Sequence, residues 1–203
     1  MKATKCVVIT GSIGCGKSSV CKILSQKGYE VIDADKIARE LFEISKEEIK
    51  NIFGDEAAND RKILAGIVFE DEVKRKQLEQ IMHPKIKEEI FAKIGELEKK
   101  GKIYFVDIPL FFETKNYDLS PVAVVYAPKE KQLSRVIARG GISEQEAQKR
   151  IAAQIDIEQK AKMADFIIDN STDMDSLKIN TEKFLQEVKQ WFCKNTAQVE
   201  TIF

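Results

Sequence analysis

The chain opens on a short, continuous apolar run, Cys6-Val7-Val8-Ile9, rich in β-branched residues. Such a run, without polar alternation, predicts a strand buried on both faces. The glycine-rich stretch ITGSIGCGKSS, Ile9 to Ser19, follows. Ser18 to Lys27 then carries Val20, Ile23 and Leu24 at helical spacing and stops at Gly28, which predicts a helix with these three side chains inward. A second strand is predicted over Tyr29 to Asp33. Strand, glycine loop, helix and strand in about thirty residues form a βαβ unit, and that unit predicts a parallel sheet.

From Lys36 to about Ile94 the pattern is helical and strongly charged, with no sheet signal. Val73, Leu78, Ile81, Ile86, Ile90 and Ile94 recur at roughly helical spacing, with a break expected at His83-Pro84. A crossover needs far less chain than this, so the region reads as a helical insertion that serves the substrate. Strands return at Ile103 to Asp107 and Val122 to Tyr126. Lys129 to Arg139 reads as a helix that Gly140-Gly141 breaks. Ser143 and Glu146 form a capping box for a further helix carrying Ala147, Ile151, Ile155 and Ala161. FIIDN is a last short strand, and Ser176 to about Lys194 a closing helix. Trp191 and Phe111-Phe112 suit either the core or an acceptor wall.

Composition narrows the function. The 203 residues suit one compact domain with small insertions. Lys plus Arg and Asp plus Glu are both 33, which argues against a nucleic-acid binder working through bulk positive charge. No stretch approaches the roughly 20 apolar residues of a membrane helix, so no membrane partner is expected and the protein reads as cytoplasmic. The four cysteines, Cys6, Cys15, Cys21 and Cys193, lack metal-ligand spacing and read as buried free thiols. Cys15 lies inside the glycine loop; if it is exposed, a ligand held by that loop should slow its modification.

Gly11, four residues, then Gly16-Lys17-Ser18 is the phosphate-loop pattern, and it has the strand before it and the helix after it that the pattern requires. Gly11, Gly14 and Gly16 let the backbone aim N–H groups at phosphate oxygens, Lys17 suits the β/γ-phosphates, and the Ser18 hydroxyl is placed to ligate Mg²⁺. The strings Asp-x-x-Gly and Asn-Lys-x-Asp of a GTPase switch do not occur. A small-molecule kinase instead needs a base and arginines near ATP. Asp33 and Asp35 stand two apart at a strand end, where ligands of parallel sheets bind. One can act as base and the other can orient Mg²⁺; the plain alternative is a helix N-cap, and the two roles can be divided between them. Asp107 ends a strand, either as an acid near Mg²⁺ or as a turn residue before Pro109. Arg135, Arg139 and Arg150 either face ATP or form a solvated surface, and His83 either contacts substrate or sits at a helix break.

Together these residues resemble the dephospho-coenzyme A kinase family along nearly the whole chain. The resemblance is carried by TGSIGCGKSSV, VIDADKIAR, DRKILAGIVF, LEQIMHPKI, FVDIPLFFE, APKEKQLSRVIAR, RIAAQ and ADFIIDN. It implies ATP- and Mg²⁺-dependent phosphorylation of the ribose 3′-hydroxyl of dephospho-coenzyme A. It also implies a phosphate-loop nucleoside-triphosphate-hydrolase-like, three-layer α/β/α fold in three parts. These are a core of residues 1–35, 101–127 and 164–203, an acceptor-binding helical insertion of 36–100, and a lid of 128–163. By position, Asp35 is the family's base, with Lys17 and Asp33 beside it in the reaction. Gly11, Gly14, Cys15, Gly16, Lys17, Ser18, Ser19, Arg135 and Arg139 are implied to hold ATP. Thr10, Asp35, Arg39, His83, Asp107 and Pro109 are implied on the acceptor side. A monomer or weak homo-oligomer is expected. Ser12, Cys15 and Ser19 depart from the family's usual glycine, serine and threonine, and Gly140 replaces a common aspartate. A kinase for another small acceptor, such as a nucleoside or nucleotide, and a non-catalytic ATP-binding module remain as alternatives.

Overall fold

The structure, a computed structural model, describes residues 3–200; the outermost residues of the expected core segments, 1–2 and 201–203, lie outside the described residues. The elements run β1 (Cys6–Gly11), α1 (Lys17–Gln26), β2 (Val31–Asp33), α2 (Ala34–Ile44), α3 (Lys46–Phe53), α4 (Asp55–Asn59), α5 (Arg61–Glu70) and α6 (Glu72–Glu98). They continue with β3 (Tyr104–Asp107), α7 (Phe111–Thr114), β4 (Val122–Tyr126), α8 (Lys129–Gly140), α9 (Glu144–Ala152), α10 (Ile157–Met163), β5 (Phe166–Asp169) and α11 (Met174–Glu200). The chain divides into two compact units, Met1–Ile32 with Leu97–Phe203, and Asp33–Glu96.

The first unit is built on a sheet of order β2-β3-β1-β4-β5. β1 pairs in parallel with β3 and β4, and β4 pairs in parallel with β5. β1 is fully buried along its length, as its unbroken apolar run requires. The register sets Ile9 beside Asp107 and Gly11 beside Val125, so the loop after β1 leaves the sheet next to the last residue of β3. One core joins Val7, Ile9, Val20, Leu24, Phe105, Val125, Leu177, Phe184 and Val188, with Phe184 tilted against Phe105 and edge-on to Phe166. Trp191 packs against this core, which decides its role in favour of packing.

The second unit has its own small core of Phe42, Ile49, Ala57, Ala58, Leu64 and Met82. Two expectations fail here. α6 runs unbroken through Pro84. Pro84 is exposed, so water can solvate the carbonyl that its missing N–H leaves unpaired, while Met82 and Ile90 stay buried on either side. Val73, expected inward, is 67% exposed on the first turn of the same helix.

A further difference falls in the first unit. The helix after the capping box stops at Ala152, and Ile155 lies in a linker before α10 rather than within one helix. The cause is a new cap: the Asp156 side chain accepts from the Glu158 N–H and starts α10. Ser143 caps α9 as expected, with the Glu146 N–H donating to Ser143 Oγ at 3.2 Å, while the Glu146 carboxylate accepts from Arg150 at 2.6 Å. The Gly140-Gly141 break falls on Gly141, which takes φ +57 at the end of α8.

Candidate active site

The phosphate loop connects β1 to α1, and its geometry explains its glycines. Gly16 sits at φ +91, and a Cβ there would stand 2.1 Å from Asn170 Nδ2. Gly14 sits at φ +81, and a Cβ would meet the Gln132 carbonyl at 2.6 Å. At Gly11 a Cβ would meet Cys15 Sγ at 2.6 Å and the Val125 carbonyl at 2.8 Å. The loop is thus pressed against its supports with room for hydrogen only.

Those supports grip the loop by its carbonyls. Asn170 Nδ2 donates to the Cys15 carbonyl at 2.8 Å, and Arg135 Nη1 to the Gly14 carbonyl at 3.4 Å. Arg135 Nη2 also donates to the Asn170 carbonyl at 3.0 Å, so the two supports brace each other. The C=O and N–H of one trans peptide point in opposite directions. Holding the Cys15 carbonyl therefore turns the Gly16 N–H the other way, in the manner of an anion cradle. α1 begins at Lys17 and adds the positive end of its dipole.

Lys17 Nζ forms an ion pair with Asp107 Oδ1, and Cys21 Sγ donates to Asp107 Oδ2 at 3.3 Å. Asp107 is only 6% exposed. A buried carboxylate needs such a partner, and this one places an acid and a cation side by side at the strand ends. Thr10 Oγ1 donates to the Pro109 carbonyl at 3.1 Å, which ties the end of β1 to the turn after β3. Cys15 is buried, so the exposure that an ATP-sensitive thiol requires is absent: burial pushes the thiol up, against the hydrogen bond and charge of Lys17 and the charge of Lys160. Ser18 is exposed and Ser19 half-buried on the first turn of α1. Arg139 is exposed, and Arg150 is exposed and pairs with Glu146 at 2.6 Å.

The other predicted residues belong to the second unit. Asp33 caps α2: its Oδ1 accepts from the Lys36 N–H at 2.9 Å, and Arg39 lies 3.9 Å from its Oδ2. Asp35 is exposed on the first turn of the same helix. Capping of α2 thus falls to Asp33. His83 is half-buried within α6.

Sequence reasoning gave no role to Asn170, Gln154, Glu113 or Lys160. Asn170 grips the loop, and its position just past an apolar strand was the signal available. Gln154 accepts from the Ile13 N–H at 2.8 Å. Lys160 is fully buried with its ammonium 2.7 Å from Glu113, and a lysine read from sequence alone is expected at the surface. Ser12, which stands where the family usually has glycine, donates from Oγ to the Ile155 carbonyl at 3.4 Å.

Comparison with known proteins agrees with this geometry. Residues 5–176 match the dephospho-CoA kinase family. The chain is 43% identical to a dephospho-CoA kinase of Helicobacter pylori over 89% of its own length and 95% of the relative's. It is 40% identical to one of Carboxydothermus hydrogenoformans, over 94% and 96%. A solved dephospho-CoA kinase from Campylobacter jejuni superposes with TM-score 0.72 at 38% identity, covering 94% of this chain and 98% of that one. A Thermus thermophilus crystal structure gives TM-score 0.81 at 34% identity, covering 92% and 98%. A shikimate kinase from Acinetobacter baumannii, at 17% identity and TM-score 0.53, shares the fold over 93% of this chain and 95% of that one. The phosphate loop, its braces and the matches along nearly the whole chain make this a phosphate-loop enzyme of the dephospho-CoA kinase family, whose activity is ATP-dependent phosphorylation of dephospho-CoA in CoA biosynthesis.

Proposed function

We propose that the chain transfers the γ-phosphoryl group of ATP to the ribose 3′-hydroxyl of dephospho-CoA, with Asp35 as general base. The observation that carries this reading is the braced glycine loop with the Lys17–Asp107 pair beside it. The phosphates of ATP lie on Gly11 to Ser19, where backbone N–H groups, Lys17 and the N-terminus of α1 hold their charge. Arg135, already against the loop, and Arg139, one turn further along α8, add positive charge on the ATP side. The 3′-oxygen attacks the γ-phosphorus as its proton passes to Asp35. The bond from the γ-phosphorus to the β–γ bridging oxygen breaks, and ADP leaves. Asp35 takes the base role because Asp33 is engaged in capping α2 and in its pair with Arg39.

Mg²⁺, when bound, neutralises charge on the β- and γ-phosphate oxygens. Ser18 and Asp107 are the oxygen donors that would hold it, and their chemistry fits an ion that takes few protein ligands besides phosphate and water. Arg39, His83, Thr10 and Pro109 belong to the acceptor side in this reading. Residues 36–100 bind the acceptor, 128–163 form the lid, and the remainder is the nucleotide core. The setting is cytoplasmic, the free cysteines remaining reduced there, and the protein a monomer or weak homo-oligomer.

Asp35→Asn tests the assignment. General-base help is worth about 10²–10⁴ in rate. Turnover should fall by about that factor, with ATP affinity unchanged. Near-normal turnover in this variant overturns the base role of Asp35.

A further inference from the structure

The tip of the phosphate loop is held by a linker that no motif assigns to ATP. Ala153 to Asp156 joins α9 to α10 and touches the loop twice. The Ile13 N–H donates to Gln154 Oε1 at 2.8 Å, and Ser12 Oγ donates to the Ile155 carbonyl at 3.4 Å. The linker is held from behind in turn, because the Ile155 N–H donates to Glu113 Oε1 at 3.1 Å. The same oxygen lies 2.7 Å from Lys160 Nζ, whose side chain is fully buried. Neither Lys160 Nζ nor Glu113 Oε2 makes a well-aligned hydrogen bond among the described residues. A buried ion pair with such incomplete bonding is a poor source of stability, so its retention calls for a positional reason.

The position supplies one. Lys160 lies on α10 and Glu113 on α7, and their pair anchors one end of a chain of contacts that finishes on the loop. A cavity of 520 Å³ lined by Ser12, Gln132, Ile151 and Gln154 opens beside that tip. Gln154 reaches the loop from this side, and its amide oxygen accepts the Ile13 N–H, a group that a phosphate-loop backbone has to aim or satisfy.

We propose that Gln154 is a positioning residue for ATP, that it fixes the tip of the phosphate loop through the Ile13 N–H, and that the buried Glu113–Lys160 pair fixes the linker that carries it. This rests on the reading that ATP binds the phosphate loop. It adds that the loop's affinity for phosphate depends on a side chain some 140 residues away in sequence, which does not itself touch nucleotide.

The test is titration of the full-length protein with ATP and, separately, with dephospho-CoA, alongside thermal unfolding and steady-state kinetics. Gln154→Leu removes the acceptor. It should weaken ATP binding about tenfold, the equivalent of about 1.4 kcal/mol, and raise the KM for ATP more than it lowers kcat. Affinity for dephospho-CoA should be unchanged. Gln154→Glu keeps an acceptor for the Ile13 N–H and should recover most of the loss. Glu113→Gln, which weakens the hold on the linker, should shift ATP affinity in the same direction, and its effect should not add to that of Gln154→Leu. Wild-type ATP affinity in Gln154→Leu overturns the proposal. So does an equal loss for both ligands that follows the thermal midpoint, as would additive effects in the double variant. Lys17→Ala, measured in parallel, keeps the two readings apart: if it retains full ATP affinity, the phosphate-loop reading itself fails, whatever Gln154 does.

Discussion

At the scale of the residue, the loop leaves measurable consequences at single atoms. Gly16 cannot take a side chain, since the added Cβ would stand 2.1 Å from the Asn170 amide that holds the Cys15 carbonyl. Gly16→Ala should weaken ATP binding by at least about tenfold, measured by calorimetric titration; unchanged affinity contradicts the bracing described above. Gly28 has a similar positive φ of +83 but nothing within 4 Å of its absent Cβ. Gly28→Ala should therefore cost only about 1–2 kcal/mol of stability and leave ATP affinity intact. The thiols give a second prediction. Burial pushes Cys6 up to about 12 and raises Cys15 as well, while Cys193 is exposed. An aromatic disulfide reagent should modify Cys193 in the native protein and spare Cys6 and Cys15, with or without ATP; fast labelling of Cys15 that ATP slows contradicts the packing. The glycines were legible because the loop's spacing is a chemical requirement. The burial of Cys6 and Cys15 agrees with the reading of the cysteines as buried thiols; Cys193 departs from it, lying exposed on the last helix.

At the scale of the element, legibility followed the strength of local signals. β4 appears over Val122–Tyr126 as predicted, because a continuous apolar run bounded by prolines leaves little choice. The division between α9 and α10 was hidden by Ile155, whose spacing continues the apolar pattern of the preceding helix; the competing signal was Asp156, a cap residue. α6 passes Pro84 because packing on both sides outweighs one lost hydrogen bond. The last residue of α6 shows a tertiary tie that sequence does not display. Glu98 accepts from the Thr4 N–H at 2.9 Å, Thr4 Oγ1 at 2.6 Å, the Lys5 N–H at 3.0 Å and the Tyr104 hydroxyl at 2.7 Å, fastening the entry to β1. Burial raises its carboxyl, but these hydrogen bonds outweigh burial and hold it below the ordinary value. A lowered folded value means that Glu98 stabilises the fold fully above the unfolded value of about 4.3, and that this contribution is lost as pH falls below it through the folded value. Glu98→Ala should cost about 1–3 kcal/mol near neutral pH. It should also flatten the fall of the thermal midpoint between about pH 5 and 3. An equal acid fall in wild type and variant contradicts the tie.

At the scale of the whole molecule, the parallel sheet and the long helical stretch after β2 were both readable in the sequence, because a βαβ start and a long charged helical pattern constrain topology strongly. The loop's braces were not readable. Asn170, Arg135 and Gln154 reach the loop from positions more than 120 residues later in the chain, and such separations carry no periodic signal. Equal numbers of acidic and basic residues leave no bulk field to draw a polyanion, so specificity for a phosphorylated acceptor must come from local geometry. The most direct test of the central claim is ADP release by the purified protein with ATP and Mg²⁺, comparing dephospho-CoA with a panel of nucleosides and nucleotides. The account predicts rapid release with dephospho-CoA alone, a product phosphorylated on the ribose 3′-oxygen, and loss of both in Lys17→Ala. Faster release with a nucleoside, or full activity in Lys17→Ala, would contradict it.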